Sequence, residues 1–84
     1  MKNIIITGAS KGIGRVIAKS LRKKYHIINI DIVENKMDGV DFYKCDLSDK
    51  GQLLKTIEKI KINIDSLYAL VNNAEKKKKK ILEK

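Results

Sequence analysis

The chain has 84 residues, enough for one small domain that buries only somewhat more than about 60% of its unfolded surface. With one cysteine, one histidine and a formal charge of +9, it excludes an internal disulfide and argues against a Cys/His metal site. It has no signal-peptide h-region and no apolar run long enough to span a bilayer. We therefore expect a cytoplasmic protein with no metal and no membrane partner.

The positive charge is spread over two unequal parts of the chain. Residues 75–84 hold six lysines and two glutamates, net +4, which leaves 13 basic and 8 acidic side chains, net +5, in residues 1–74. Solvated helix faces explain much of the second part, and no aromatic ladder of the kind that binds single strands accompanies it. We predict no nucleic-acid partner, and we predict that residues 75–84 form a disordered, Lys-rich tail after a single domain at 1–74.

The chain opens with a predicted strand, a glycine loop and a predicted helix. The apolar run at residues 4–6 indicates the strand, and apolar residues recur at helical spacing after the loop. The predicted apolar stripe of the helix consists of Ile13, Val16, Ile17 and Leu21.

The three loop glycines have distinct expected roles. Unpaired N–H groups and the positive end of the dipole at the start of a helix can receive a diphosphate, provided that no side chain blocks its approach. In this interpretation Gly8 makes the turn off the strand, Gly12 admits the phosphate, and Gly14 lets helix and strand pack closely. A flexible turn is the alternative. The position directly after a strand and before a helix favours a nucleotide site.

The second predicted strand, residues 26–30, ends at Asp31. A carboxylate at this tip, about 17 residues after Gly14, is placed to accept hydrogen bonds from adenosine ribose hydroxyls. It would also repel a 2′-phosphate, so Asp31 favours NAD over NADP. An ordinary acidic turn residue is the alternative.

The rest of the chain supplies two more strands and a helix. Residues 31–39 show no helical periodicity, and because parallel neighbours usually need a longer crossover, an antiparallel hairpin competes with a parallel strand at 40–45. The helix expected at 50–62 has an apolar stripe made of Leu53, Leu54, Ile57 and Ile60. The run at 66–71 is nearly continuously apolar, which indicates a strand of the type found in parallel sheets covered on both faces.

Four of these landmarks together resemble one family. TGASKGIG at residues 7–14 is similar to the TGxxxGxG cofactor loop of short-chain dehydrogenases/reductases, and Asp31, CDL at 45–47 and NNA at 72–74 match in order. The matches cover residues 2–74, and the last ten residues match nothing in the family. The resemblance implies a three-layer α/β Rossmann-type parallel sheet, incomplete, with about four strands in the order 3-2-1-4 and two helices. It also favours the parallel third strand.

The resemblance implies a site for NAD or NADP. In the family, the aspartate matched by Asp46 bonds the adenine amino group, although helix capping by Asp46, Ser48 or Asp49 is equally ordinary. The NNA segment supports the central sheet and lines the adenosine ribose, but Glu75 stands where the family has glycine. In the family, a basic residue at the position of Lys11, just before the second loop glycine, often contacts the extra phosphate of NADP. NAD is still favoured because Asp31 acts at shorter range. The expected cofactor-binding residues are Gly8, Ser10, Lys11, Gly12, Ile13, Gly14, Asp31, Asp46, Leu47, Asn72, Asn73 and Ala74.

Complete family members carry a catalytic serine and a YxxxK pair in later elements. None of Tyr25, Tyr43 and Tyr68 has a lysine four residues on, so we predict no catalytic residue in this chain. The resemblance therefore implies the truncated, cofactor-binding portion of an oxidoreductase, inactive by itself. The alternatives are a stand-alone nucleotide-binding or oligomerising module and, more weakly, a basic nucleic-acid binder. Strand four would become an open sheet edge with half its helical cover missing, which predicts self-association.

Overall fold

The structure, a computed structural model, describes residues 1–74. Six elements follow one another along this range: β1 Lys2–Thr7, α1 Gly12–Leu21, β2 Tyr25–Asp31, β3 Val40–Lys44, α2 Lys50–Asn63 and β4 Ala69–Asn72. The predicted tail at 75–84 lies outside the described residues.

The four strands form one parallel sheet in the order β3-β2-β1-β4. β2 and β3 run parallel, with Ile27 opposite Val40 and Asp31 opposite Lys44. The predicted strand order and the parallel third strand are therefore confirmed, and the antiparallel hairpin is excluded.

The strands divide their side chains between two core layers because successive residues of a strand point to opposite faces. Ile4, Ile6 and Ile27 pack on the face covered by α1, together with Ala18. Ile5 and Ile28 pack on the other face with Ile60 of α2. The two helices thus cover opposite faces of the sheet, which makes the three predicted layers.

The buried face of α1 differs from the predicted stripe. Gly14 and Ala18 are buried and Ile17 and Leu21 pack beside them, whereas Ile13 and Val16 are 72% and 68% exposed. Positions 14, 17, 18 and 21 also repeat at helical spacing, but two of them carry small residues. A pattern based on large apolar side chains therefore assigned the wrong face, because this helix approaches the sheet through its smallest residues.

The cover on the α2 face is thinner than expected. Ile60 and Thr56 are buried, but Leu54 is 59% exposed and Ile57 is also exposed, so two of the four predicted stripe residues miss the core. β4 begins at Ala69 rather than at 66, and its Leu70 is 57% exposed. Within residues 1–74, β4 is an edge strand whose Ala69 and Val71 pack on the α1 face while its other face is exposed. A groove of about 450 Å³ runs there between α2 and β4, lined almost entirely by aliphatic side chains.

The connection between β2 and β3 crosses without a helix. Eight extended residues span up to about 26 Å, more than the roughly 17 Å length of β3, so the chain can return to the start of the next strand directly. The Arg22 guanidinium donates to the Asp38 carbonyl at 2.8 Å, and Met37 packs against the core on the α1 face. A cavity of about 370 Å³ lies beside this connection, as expected where a covering helix is missing.

Candidate functional site

The carboxyl ends of the parallel strands bring most of the predicted residues to one edge of the sheet. Thr7 at the end of β1 lies opposite Ile30 of β2 and Asn72 of β4. Asp31 and residues 72–74 therefore flank the glycine loop on its two sides, although they are 41 positions apart in sequence. This is the edge at which open α/β sheets bind ligands.

Two of the loop glycines adopt a backbone conformation that other residues rarely take. Gly8 has φ +73° and Gly12 has φ +63°. The Gly8 N–H donates to the Ile30 carbonyl at 2.9 Å, which continues the pairing of β1 with β2 into the turn. A Cβ atom built on Gly12 meets no atom within 4 Å, so the space in front of this residue is open.

Gly14 lies where the helix touches the loop. A Cβ atom here would be 2.1 Å from the Gly8 carbonyl oxygen and 2.5 Å from Nδ2 of Asn73. Both distances are far below van der Waals contact. The close approach of α1 to the end of β1 therefore requires glycine at position 14.

The first turn of α1 has no capping side chain and no acidic residue, whereas the first turn of α2 is capped. Lys11, at the N-cap of α1, makes no side-chain capping hydrogen bond, and the first turn contains no acidic residue. α2 is capped by Asp49, whose carboxylate accepts from the Gln52 N–H at 3.1 Å. The positive end of the α1 dipole thus faces the loop without a carboxylate from its own first turn, which suits an anion.

The NNA segment is bound to the end of β1 by a residue that the sequence analysis did not select. The buried Thr7 hydroxyl accepts the N–H groups of Asn73 and Ala74, each at 3.0 Å, and donates to Oδ1 of Asn72 at 3.2 Å. The Asn73 side chain donates to the Gly8 carbonyl at 3.1 Å. Residues 72–74 therefore help to shape the glycine loop.

The Asp31 carboxylate faces the loop. Its Oδ2 accepts from the Ser10 N–H at 3.1 Å, and its Oδ1 accepts from the Ile32 N–H at 2.7 Å. An ionised carboxylate has about four acceptor positions, so both oxygens can accept further bonds. Asp31 is partly exposed, at the rim of the site.

Ser10 is enclosed by hydrogen bonds from two asparagines that the sequence analysis missed. Its hydroxyl donates to the Val33 carbonyl and accepts from Nδ2 of Asn29 at 3.0 Å, while its own carbonyl accepts from Nδ2 of Asn35 at 2.7 Å. The Ser10 side chain is buried, and its hydroxyl forms hydrogen bonds with Val33 and Asn29 inside the protein. A signal for Asn29 was present: it is the one polar residue between Ile27 and Ile30 in β2.

Asp46 and Leu47 follow β3 at the same edge. Oδ1 of Asp46 accepts from the N–H and the hydroxyl of Ser48, at 3.0 and 2.6 Å, so Asp49 rather than Asp46 caps the helix. The Leu47 side chain packs against the core on the α2 face, which directs it away from the rim. Lys11 and Ile13 are exposed beside the glycine loop.

Residues 1–74 contain no cluster of three or more His, Cys, Asp or Glu side chains that could hold a metal ion. None of the helices in this range has the length and apolarity needed to cross a membrane.

A parallel sheet in this order, with a glycine loop leading into an open helix start at its carboxyl edge, defines the class of Rossmann-type α/β folds. A family model described as short chain dehydrogenase matches residues 2–83. The chain belongs to this family. The match extends beyond Ala74, so the expectation that the last ten residues match nothing was wrong.

Solved structures show the same similarity. The aldohexose dehydrogenase of Thermoplasma acidophilum is 35% identical with a TM-score of 0.80, over 87% of this chain and 29% of that one. A short chain dehydrogenase family protein from Francisella tularensis is 34% identical with a TM-score of 0.78, over 88% and 31%. A 4-hydroxyisoleucine dehydrogenase complexed with NADH and succinate is 29% identical with a TM-score of 0.76, over 84% and 34%.

The chain thus spans about a third or less of the length of these three proteins. No curated protein matches it.

Proposed function

We propose that residues 1–74 bind a nicotinamide dinucleotide, NAD in preference to NADP, as the cofactor-binding portion of a short-chain oxidoreductase. One observation carries this proposal: the open start of α1 meets a loop whose Gly12 has no atom in front of it. The similarity to a dehydrogenase solved with NADH supports the class of cofactor. Calorimetric titration with NAD tests it, and no heat of binding at millimolar NAD contradicts it.

In this proposal, different residues bind different parts of the dinucleotide. The N–H groups at Gly12, Ile13 and Gly14 hold the pyrophosphate, because the helix dipole favours negative charge there. Asp31 accepts from the ribose hydroxyls. Residues 72–74 line the ribose from the opposite side, and the adenine lies near Asp46 and the backbone of Leu47. When bound, the nicotinamide ring supplies hydride transfer.

We further propose that these 84 residues bind the cofactor without turning over an alcohol or ketone. Tyr25 and Tyr68 stack with ring centroids 5.7 Å apart at the amino ends of β2 and β4, opposite to the edge with the glycine loop. The Tyr43 hydroxyl accepts from Asn63 of α2 at 3.1 Å. No tyrosine therefore stands beside the loop as an acid or base.

The cytoplasmic location and the lack of a nucleic-acid partner stay predictions of the sequence.

The preference for NAD depends on Asp31. We expect Asp31→Ala to lower the ratio of NADP to NAD dissociation constants about tenfold, because the carboxylate that repels a 2′-phosphate is gone. Lys11→Ala should weaken the binding of NADP and leave the binding of NAD unchanged. The measurement is calorimetric titration of each variant with both dinucleotides.

The control for this pair is Asp38→Ala, which removes a carboxylate from the same connection. Its ratio should equal that of the unmodified chain. An unchanged ratio in Asp31→Ala removes Asp31 from the ribose site.

A second proposal, self-association, is favoured by the open edge of the sheet. Within residues 1–74, β4 pairs with β1 and has no strand on its other side. Leu67, Tyr68 and Leu70 are exposed there, next to the aliphatic groove. Unprotected edges of this kind pair with other chains.

Lysine on an edge strand opposes such pairing. We expect Leu70→Lys to raise the dimer dissociation constant at least about tenfold in sedimentation velocity, since a charge enters an apolar contact. Leu54→Lys is the matched control, because Leu54 is similarly exposed but lies on α2 outside the groove lining. Equal effects of the two substitutions, or a chain that stays monomeric at every concentration, contradict the proposal.

A further inference from the structure

Asn29 lies in the middle of β2 and is 2% exposed. Its side chain points to the α1 face, where its neighbour two residues earlier, Ile27, belongs to the apolar core. Oδ1 of Asn29 accepts from the Ala9 N–H at 2.9 Å, and Nδ2 donates to the Ser10 hydroxyl at 3.0 Å. Both partners are residues of the glycine loop.

The direction of every bond in this group is fixed by chemistry. The Ala9 N–H can only donate, so the amide oxygen of Asn29 must face it and the amide nitrogen must face Ser10. The Ser10 hydroxyl then donates onward to the Val33 carbonyl. The loop is thereby tied both to the strand beneath it and to the connection that follows that strand.

A buried amide is costly in an apolar strand unless its hydrogen bonds are made, and an aliphatic residue would suit the core equally well. At position 29, the described partners of the side chain are both in the loop. The loop is therefore the feature of the structure that calls for asparagine at this place.

We propose that Asn29 is a positioning residue for the dinucleotide site: it holds the backbone of Ala9 and Ser10 so that the following N–H groups face the pyrophosphate before ligand arrives. This proposal rests on the proposed function. A loop held in its binding conformation does not have to be ordered by the ligand, which strengthens binding. We expect a larger effect on the pyrophosphate, which the loop N–H groups hold, than on the adenosine end, which reaches the loop only through the bond from the Ser10 N–H to Asp31.

The test uses the full chain and three probes: NAD, ADP-ribose and adenosine. Asn29→Leu keeps the approximate size of the side chain and removes both hydrogen bonds. We expect NAD and ADP-ribose to bind about tenfold more weakly, while the adenosine dissociation constant changes less than about twofold. Thr56→Val, a buried polar-to-apolar exchange on α2, is the control and should shift none of the three.

A purely structural role for Asn29 predicts a different pattern. Equal weakening of all three probes, or unchanged binding of NAD and ADP-ribose, overturns the proposal. If the unmodified chain binds none of the probes, the proposed function fails instead, so the two failures are distinguishable.

A milder variant keeps the test decisive if Asn29→Leu shows no cooperative unfolding. Ser10→Ala retains the Ala9 bond and removes the hydroxyl between Asn29 and Val33. We expect it to weaken ADP-ribose about threefold, as the loss of one of the two loop bonds requires, with adenosine unchanged. Equal effects on ADP-ribose and adenosine in this variant overturn the proposal.

Discussion

Gly14→Ala is expected to lower the free energy of unfolding by about 3 kcal/mol, at the upper end of what overpacking costs. The new Cβ would lie 2.1 Å from the Gly8 carbonyl oxygen, and a backbone atom cannot move aside as a flexible side chain can. A domain of this length has a total stability of only roughly 4–12 kcal/mol, so the loss is a large part of it. Urea denaturation followed by circular dichroism measures the change.

The control for this substitution is Gly51→Ala in α2. A Cβ atom at position 51 has Oδ1 of Asp49 as its nearest neighbour at 3.4 Å, which is close to ordinary contact. Alanine in a helix is more favourable than glycine by up to about 1 kcal/mol, so this variant should be as stable as the unmodified chain or more stable. Equal stabilities of Gly14→Ala and Gly51→Ala contradict the packing role of Gly14.

Gly12→Asp is expected to weaken NAD binding about 100-fold while it lowers the free energy of unfolding by only about 1 kcal/mol. The side chain enters open space, so the fold tolerates it. Its carboxylate occupies the start of α1, where the dipole favours an anion, and it repels the pyrophosphate. Calorimetric titration and urea denaturation of the same sample separate the two effects.

Gly12→Asn is the matched control, because asparagine has the same shape without the charge. Aspartate and asparagine adopt positive φ more readily than most other residues, and Gly12 has φ +63°. We expect Gly12→Asn to retain about tenfold more NAD affinity than Gly12→Asp. Equal affinities of the two variants show that charge at position 12 does not matter, against the electrostatic account.

The strands could be predicted because their signals are local, whereas their order was predicted from the resemblance to the family. Apolar runs at β1 and β2 and the glycines between β1 and α1 indicate a strand, a loop and a helix. The parallel third strand could not be read from spacing, since a connection of eight residues is short for a crossover. It is possible because β3 is short enough for an extended return.

The faces of the helices were predicted less well. Helical periodicity weighs large apolar side chains, whereas α1 packs through Gly14 and Ala18 and leaves Ile13 and Val16 exposed. The small residues are required because the loop and the sheet lie so close to the helix. Proximity of this kind is a property of the tertiary structure and is invisible in a periodic pattern.

The site residues show the same division. The glycines and Asp31 could be selected because they follow strand ends, which parallel pairing brings to one edge, whereas residues 72–74 were selected through the resemblance to the family. Thr7, Asn29 and Asn35 were missed because their partners are mostly backbone atoms of distant segments, such as the Ala74 N–H bound by Thr7. Hydrogen bonds of this kind depend on the register between strands.

In the proposed function, the glycine loop and the start of α1 hold the pyrophosphate of a dinucleotide. NMR titration of the isotope-labelled full chain with NAD tests it most directly. We expect the largest chemical-shift changes on the backbone amides of residues 8–14 and on Asp31, with little change at the amino ends of the strands. Changes confined to the groove beside β4, or none at millimolar NAD, contradict it.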